Sequence, residues 1–129
     1  MEDIKNAINK VYSSLGFGYK EHIYSNAMII ELRNLNYQFH NEVVCPILYE
    51  NIQVGYERAD IVIYKPINCV LEFKAQTMSL QKKDITQLNK YLINLDIQYG
   101  LLINFGNSLE IMEIEKDIET TNNKTIVID

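Results

Sequence analysis

The chain is poor in the residues that mark several common protein classes. Its 129 residues include no tryptophan, five glycines, two prolines and two cysteines. Cys45 and Cys69 each lie in an apolar segment outside any CxxC or Cys/His cluster, so we interpret them as buried free thiols. No apolar run approaches the ~20 residues of a membrane-spanning helix, and the N-terminus has no signal-peptide pattern. We therefore expect an intracellular protein (cytoplasm, nucleoid or nucleus) that is not secreted and binds no membrane.

Positive charge is also scarce. The chain has 12 Lys and Arg residues against 17 Asp and Glu residues, which gives a formal net charge of −5 at pH 7. This balance argues against a broad basic surface for nucleic acid, so any phosphate-binding surface must be local. Two places offer one: Lys82, Lys83 and Lys90 are close together in the sequence, and Lys20 precedes Glu21.

Against these absences, one apolar stretch carries unexpected charge. Residues 59–64 and 69–74 are rich in β-branched and aromatic residues, and the turn signal at 65–68 predicts a β-hairpin between them. Asp60 begins the first strand, and Glu72 and Lys74 lie near the end of the second. Glu72 and Lys74 are two residues apart, so they share a face of the strand. Charges on a core strand are costly unless they are paired or bind a metal.

Such a trio suits phosphodiester hydrolysis assisted by a divalent metal. Asp60 and Glu72 supply the hard oxygen ligands that Mg²⁺ or Mn²⁺ prefers, and the carbonyl of Phe73 is a further candidate ligand. Lys74 is suited to orienting the attacking water or stabilising the charged transition state. The alternative is a structural ion pair of Glu72 and Lys74 on an edge strand.

The other segments predict helices and strands around this hairpin, in a single domain over residues 1–129. Patterns of helical period, with Asp3 and Ser79 as N-caps, cover residues 3–15, 19–35 and 79–94. Strand patterns cover residues 37–44, 47–49, 52–56, 99–105 and 109–114, and residues 125–128 could add an edge strand. Pro46 is expected to limit how far the first strand can continue as a central strand of the sheet. We predict a core over about residues 4–115, a polar C-terminal tail, and parallel pairing of residues 69–74 with 99–105.

Two helical pairs have both a functional and an ordinary interpretation. Glu21 and Tyr24 are neighbours on the second helix, and Glu21 falls in the first turn, where the helix dipole alone favours a carboxylate. Gln87 and Tyr91 are neighbours on the third helix and can donate hydrogen bonds to a phosphate, although an amphipathic flank has the same pattern.

Taken together, these motifs resemble the PD-(D/E)xK nuclease superfamily, and within it the group named for its GxxExxY motif. That motif corresponds to residues 18–24, GYKEHIY. The strand motifs correspond to residues 58–60, RAD, and 71–75, LEFKA; the helix motif QxxxY corresponds to Gln87 and Tyr91, and the closing strand to residues 101–106. Ala59 stands where the superfamily name has proline.

The resemblance implies an α/β fold with a restriction-endonuclease-like core, a mixed β-sheet flanked by helices. It implies Mg²⁺ or Mn²⁺ as the cofactor, held by Glu21, Asp60, Glu72 and the carbonyl of Phe73. It implies Asp60, Glu72 and Lys74 as catalytic residues, with Tyr24, Gln87 and Tyr91 on the substrate side. The expected substrate is nucleic acid, with DNA favoured, and the small domain is expected to need a homodimer or a partner protein to hold a duplex.

Two other interpretations stay open. The acidic net charge is compatible with a nuclease fold used as a nucleic-acid or protein-binding module with little or no activity. The charged trio is also compatible with a structural cluster, in which case substituting Glu72 or Lys74 changes stability but no activity.

Overall fold

The computed structural model describes residues 1–118, which form three helices and five strands. The elements are α1 (Glu2–Leu15), α2 (Glu21–Asn34), β1 (Gln38–Tyr49), β2 (Ile52–Lys65), β3 (Cys69–Lys74), α3 (Lys82–Leu95), β4 (Tyr99–Phe105) and β5 (Leu109–Glu115). The strand predicted at residues 125–128 lies outside the described residues. Among residues 1–118, no helix is long and apolar enough to cross a membrane.

The five strands form one mixed sheet in the order β1-β2-β3-β4-β5. β3 and β4 pair in parallel, with Leu71 opposite Leu101, and the other neighbours pair antiparallel. The parallel pair is connected through α3, as the sequence predicted. The unbroken apolar character of β4 also has its expected cause, because this strand is buried on both faces from Gly100 to Phe105.

The helices cover opposite faces of the sheet and enclose two separate cores. α1 and α2 bury residues such as Ile8 and Met28 against Leu71 and Phe73; we call this the α1/α2 core. α3 buries residues such as Leu88 and Leu92 on the other face; we call this the α3 core. Within residues 1–118, the sheet is therefore the only layer that both cores share. Cys69 is buried in the first core and Cys45 in the second, both as free thiols, as predicted.

Two predicted N-caps were wrong. The N-cap of α1 is Met1, and Asp3 falls inside the first turn. The N-cap of α3 is Gln81 rather than Ser79, because the carboxylate of Asp84 accepts a hydrogen bond from the Gln81 backbone N–H at 2.9 Å. A side chain three residues into a helix can satisfy the N-cap amide in this way.

The predicted break between the strands at residues 37–44 and 47–49 was also wrong. β1 runs through Pro46, which lies opposite Tyr56 of β2. A proline is tolerated there because β1 is an edge strand of the sheet. The chain then reverses at Glu50 and Asn51, whose φ angles of 49° and 64° are both left-handed. Two such residues in succession match the two-residue hairpin turn whose twist fits that of the strands.

Candidate active site

The predicted charged residues lie where β2 and β3 separate. Ladder pairing between these strands runs from Ile63 opposite Cys69 to Ile61 opposite Leu71. At the next position, Glu72 Oε1 accepts a hydrogen bond from the Asp60 backbone N–H at 2.7 Å. Asp60 Oδ2 accepts one from the Phe73 backbone N–H at 2.8 Å. The two carboxylates therefore replace the next step of the ladder and are held side by side by the main chain.

The alternation of side chains between the two faces of the sheet is interrupted in β1 and β2 near Asp60. In β2, Ile61 and Ile63 pack in the α1/α2 core, but Ala59 packs in the α3 core. β1 changes in the same way, from Phe39 to Val43, across Glu42 with its left-handed φ of 51°. Strict alternation would put odd-numbered residues of one strand on one face only. β1 and β2 are therefore twisted together at Asp60, which is also where β2 separates from β3.

The two carboxyl groups are electrostatically strained in the absence of a cation. Glu72 is only 5% exposed; burial, followed by repulsion from Asp60, raises its pKa to about 8. Burial and repulsion from Glu21 raise the pKa of Asp60 to about 6, although its bond from the Phe73 amide acts in the opposite direction. The positive charge of Lys74 lowers both pKa values without cancelling these effects. Such a pair has a strong electrostatic preference for a bound cation.

Lys74 is linked by hydrogen bonds to the two α3 residues predicted from the sequence. Its Nζ donates to Gln87 Oε1 at 3.2 Å. Gln87 Nε2 in turn donates to the Tyr91 hydroxyl at 3.3 Å and to Glu57 Oε2 at 3.5 Å. Tyr91 is 4% exposed and does not line the groove described below, contrary to the substrate contact expected from the sequence, so it supports Gln87 from the α3 core. These bonds fix the direction of the lysine relative to α3.

A groove of about 770 Å³ opens over this network. Lys74 and Gln87 line it together with Glu21 and Glu57. The same groove is lined by three lysines of α3, Lys82, Lys83 and Lys90, which the sequence analysis singled out as a local basic cluster. The structure therefore combines carboxylates and a cluster of lysines in one open cleft, although the chain as a whole is acidic.

Glu21 faces the site from the other helical layer. It is the first residue of α2, and it also lines a smaller cavity of about 270 Å³ together with Asp60 and Glu42. Its charge is close enough to raise the pKa values of Asp60 and Glu72. The structure thus places Glu21 on the same side as the pair, at the exposed rim of the groove.

Tyr24 does not line the groove, contrary to the substrate contact expected from the sequence. It is fully buried and stacks on Phe105, with ring centroids 4.4 Å apart. Its hydroxyl donates to the Gly16 carbonyl at 2.6 Å and accepts from the Tyr19 backbone N–H at 3.3 Å. Tyr24 therefore holds the loop before α2 and so positions Glu21, instead of meeting a substrate.

The sequence analysis missed the residues that hold the segment between β3 and α3. Asn104 of β4 is 1% exposed, accepts from the Gln76 backbone N–H and donates to the carbonyls of Gln76 and Met78. Glu110 accepts from Asn104 and from the Leu80 backbone N–H. The available signal was an amide inside the apolar run at 99–105. Glu57 was missed as well, since it gave no signal beyond a charge beside Arg58.

The donor set fits a divalent cation in its chemistry. Among residues 1–118, no group of three or more His, Cys, Asp or Glu side chains is already arranged to hold a metal. However, Asp60 and Glu72 each use one oxygen for a backbone N–H, and within the described chain no protein donor engages Asp60 Oδ1 or Glu72 Oε2. The N–H and C=O of a strand residue face the same neighbouring strand, so we expect the Phe73 carbonyl on the β2 side of β3, as its N–H is. Two carboxylate oxygens and a carbonyl are ligands of the kind that Mg²⁺ and Mn²⁺ prefer.

The mixed five-stranded sheet flanked by helices defines a restriction-endonuclease-like α/β fold. The sequence profile of the PD-(D/E)XK nuclease superfamily matches residues 1–116, and the chain belongs to this superfamily. The crystal structure of SSO0001 has a similar fold, with a TM-score of 0.56 and 20% sequence identity. The alignment covers 84% of this chain, which spans only 58% of that one. No curated protein has significant sequence similarity to the chain.

Proposed function

We propose that the protein is a metal-dependent nuclease that hydrolyses phosphodiester bonds, with DNA as its substrate. Membership of the superfamily supports the reaction class. The observation that carries the proposal is the pair of carboxylates, Asp60 and Glu72, held side by side by backbone N–H groups. They lie beside Lys74, which lines a groove together with three other lysines. A structural ion pair between Glu72 and Lys74 would not need a second carboxylate beside the buried Glu72.

Asp60, Glu72 and the Phe73 carbonyl would hold Mg²⁺ or Mn²⁺, with Glu21 approaching from α2. A divalent cation at this place supplies an activated water at neutral pH and neutralises charge on the phosphate. The backbone bonds from Asp60 and Phe73 keep the two carboxylates in fixed orientations. This prior orientation lowers the cost of assembling the site when the cation binds.

Lys74 is the residue that we assign to the scissile phosphate. Its ammonium group lies on the groove wall, and Gln87 Oε1 holds it at 3.2 Å. A positive group fixed beside the developing charge stabilises the transition state without having to reorganise. Tyr91 accepts from Gln87 and keeps that amide in its rotamer, so its role is to position Gln87.

Lys82, Lys83 and Lys90 would contact the flanking phosphates. All three belong to α3 and line the groove that contains Lys74. Lysine–phosphate contacts carry no sequence information by themselves. We therefore propose a nuclease that recognises the backbone or shape of DNA, and we place the chain in the GxxExxY group, in which residues 18–24 form the segment that presents Glu21.

The decisive experiment is a cleavage assay on labelled duplex, single-stranded, flap and four-way-junction DNA with Mg²⁺ or Mn²⁺. Asp60→Asn keeps the shape and the acceptor for the Phe73 amide but removes the charge, so it should abolish cleavage. Asp96→Asn is the matched control, because Asp96 is exposed at the end of α3 and pairs only with Lys116 among residues 1–118. Equal cleavage by wild type and Asp60→Asn would reject the assigned site.

A binding module with little or no activity is the second candidate. The observation that favours it is the lack, within residues 1–118, of a three-residue cluster already arranged for a metal. This candidate predicts that DNA is bound with a strong salt dependence but is not cut with either cation. Isothermal titration with Mn²⁺ separates the two, since only a working site should lose metal binding in Asp60→Asn.

A further inference from the structure

The outer halves of β1 and β2 extend beyond the rest of the sheet. β3 pairs only with Ile61–Ile63 of β2, whereas β1 and β2 stay paired out to Tyr49 and Ile52. We call residues 44–58 the arm. The base of the arm rests on α3, where Asn94 Nδ2 donates to the Pro46 carbonyl at 2.7 Å. Beyond that contact the arm is a two-stranded ribbon, which is only marginally stable in water by itself.

The arm is unusually apolar for a surface ribbon. Seven of its large apolar side chains are between 43% and 68% exposed: Val44, Ile47, Leu48, Tyr49, Ile52, Val54 and Tyr56. They occupy both faces, because directly paired residues share a face and the pairs alternate along the ribbon. Tyr49 lies opposite Ile52 on one face, and Tyr56 lies opposite Pro46 on the other. Exposed apolar patches of this extent mark interaction sites.

We propose that the arm binds the arm of a second copy of this chain and forms a symmetric homodimer. The arm has three charged residues, Glu50, Glu57 and Arg58, and no lysine, so it does not suit nucleic acid. The seven side chains together expose roughly 700 Å², counted over both faces of the arm by ordinary side-chain areas, against the ~800 Å² per partner of a standard stable interface.

The backbone of the arm favours the same partner. β1 is an edge strand of the sheet, so the side of β1 that faces away from β2 has no neighbouring strand within residues 1–118. Over residues 52–58, the side of β2 that faces away from β1 also has no neighbouring strand within residues 1–118. Unpaired strand edges invite pairing with another chain. Two copies related by a twofold axis can pair the same edge with itself, so that each arm supplies what the other lacks.

This dimer also bears on the groove, although the proposal does not depend on nuclease activity. Glu57 lies at the base of the arm and lines the groove beside Lys74 and Gln87. Joining two arms therefore places two grooves on one assembly and doubles the number of groove lysines that one substrate can meet. The arm is thus the surface through which the homodimer expected from the sequence would form.

Sedimentation equilibrium on the full chain at micromolar concentration tests the proposal. Wild type should sediment at twice the 15.1 kDa chain mass. Leu48→Glu with Ile52→Glu places two charges on the arm and should give the monomer. The matched control, Ile30→Glu with Met78→Glu, changes apolar side chains that are 57% and 61% exposed outside the arm, and should remain dimeric. A monomeric wild type, or an arm variant that stays dimeric, overturns the proposal.

Hydrogen exchange on the wild type gives an independent readout if the arm variant does not fold. Backbone amides of residues 44–58 should gain protection as the protein concentration rises through the dimerisation range. Protection that does not depend on concentration would mean that the arm is covered within one chain. Protection that appears only on addition of DNA would mean that nucleic acid is the occupant. Either result would refute the second copy as the partner.

Discussion

Replacing Glu72 with glutamine should stabilise the metal-free protein above pH 8. Glu72 is buried beside Asp60, and its pKa is raised from 4.5 to about 8. The unfolded chain releases this proton near pH 4.5, whereas the folded chain retains it to about pH 8, so the free energy of unfolding falls across that interval as the pH rises. Above pH 8, the folded wild type bears the full free-energy cost of a buried negative charge at residue 72, whereas Glu72→Gln has no charge there.

The size of the effect follows from the same two pKa values. Their difference sets a ceiling of about 5 kcal/mol on the gain in stability. Because Asp60 contributes to the same repulsion and the site can relax, we expect about 1 to 3 kcal/mol. The glutamine oxygen can still accept the bond from the Asp60 backbone N–H, so the change should remove charge and little else.

Urea unfolding with a chelator present measures this prediction. The stability difference between Glu72→Gln and wild type should be present above pH 8 and absent below pH 4.5. Glu113→Gln is the control, because Glu113 is 57% exposed in its pair with Lys5 and should change stability by less than ~1 kcal/mol at any pH. Adding Mn²⁺ at 100 times its dissociation constant should stabilise wild type by about 2.7 kcal/mol and leave Glu72→Gln nearly unchanged.

One result would refute this reasoning. If Glu72→Gln is less stable than wild type above pH 8 and equally stable below pH 4.5, the charge of Glu72 stabilises the fold through Lys74. The site would then be a structural ion pair, and the interpretation as a cation site would fail.

Three further predictions concern other parts of the site. Replacing Lys82 and Lys83 with alanine should reduce the salt slope of DNA binding by about 2, whereas replacing exposed Lys65, outside the groove, should not change it. Gly106→Ala should lower the stability by about 1 to 3 kcal/mol in thermal unfolding, since its added Cβ would lie 2.5 Å from the Gln76 carbonyl; Gly55→Ala, in open space, is the control. Tyr24→Phe should lower the free energy of unfolding by about 1 to 2 kcal/mol and reduce cleavage. It removes the hydrogen bonds of the Tyr24 hydroxyl to the loop before Glu21 but keeps the ring stacked on Phe105. Unchanged cleavage would argue against the positioning role.

The elements with strong local signals were predictable. β4 has the bounds that the sequence predicted, because an unbroken apolar run between turn residues has few alternatives. The hairpin of β2 and β3 was also predicted, since its turn and its strand residues agree. The end of β1 was not, because whether a strand continues through Pro46 depends on its being at the edge of the sheet.

In the candidate site, too, the residues with a local sequence signal were predicted, and the contacts that depend on the tertiary fold were not. Charges inside apolar strands singled out Asp60, Glu72 and Lys74, and the structure brings these three together. The crossed bonds of Asp60 and Glu72 to each other's strands could not be predicted, because they depend on where the ladder ends. Asn104 was missed for a related reason: its partners lie 26 to 28 residues away, and no local pattern identifies them.

The presence of two cores that share only the sheet has a consequence for how this groove can change. Glu21 is the first residue of α2, which packs in the α1/α2 core, whereas the groove lysines and Gln87 belong to α3 or to β3, and α3 packs on the other core. Substitutions on the outer surface of α3 can therefore alter the shape and charge of the groove without disturbing the packing that anchors α2. In engineering terms, the α3 side and the α2 side of the groove are separate modules, and each can be redesigned while the other is kept unchanged.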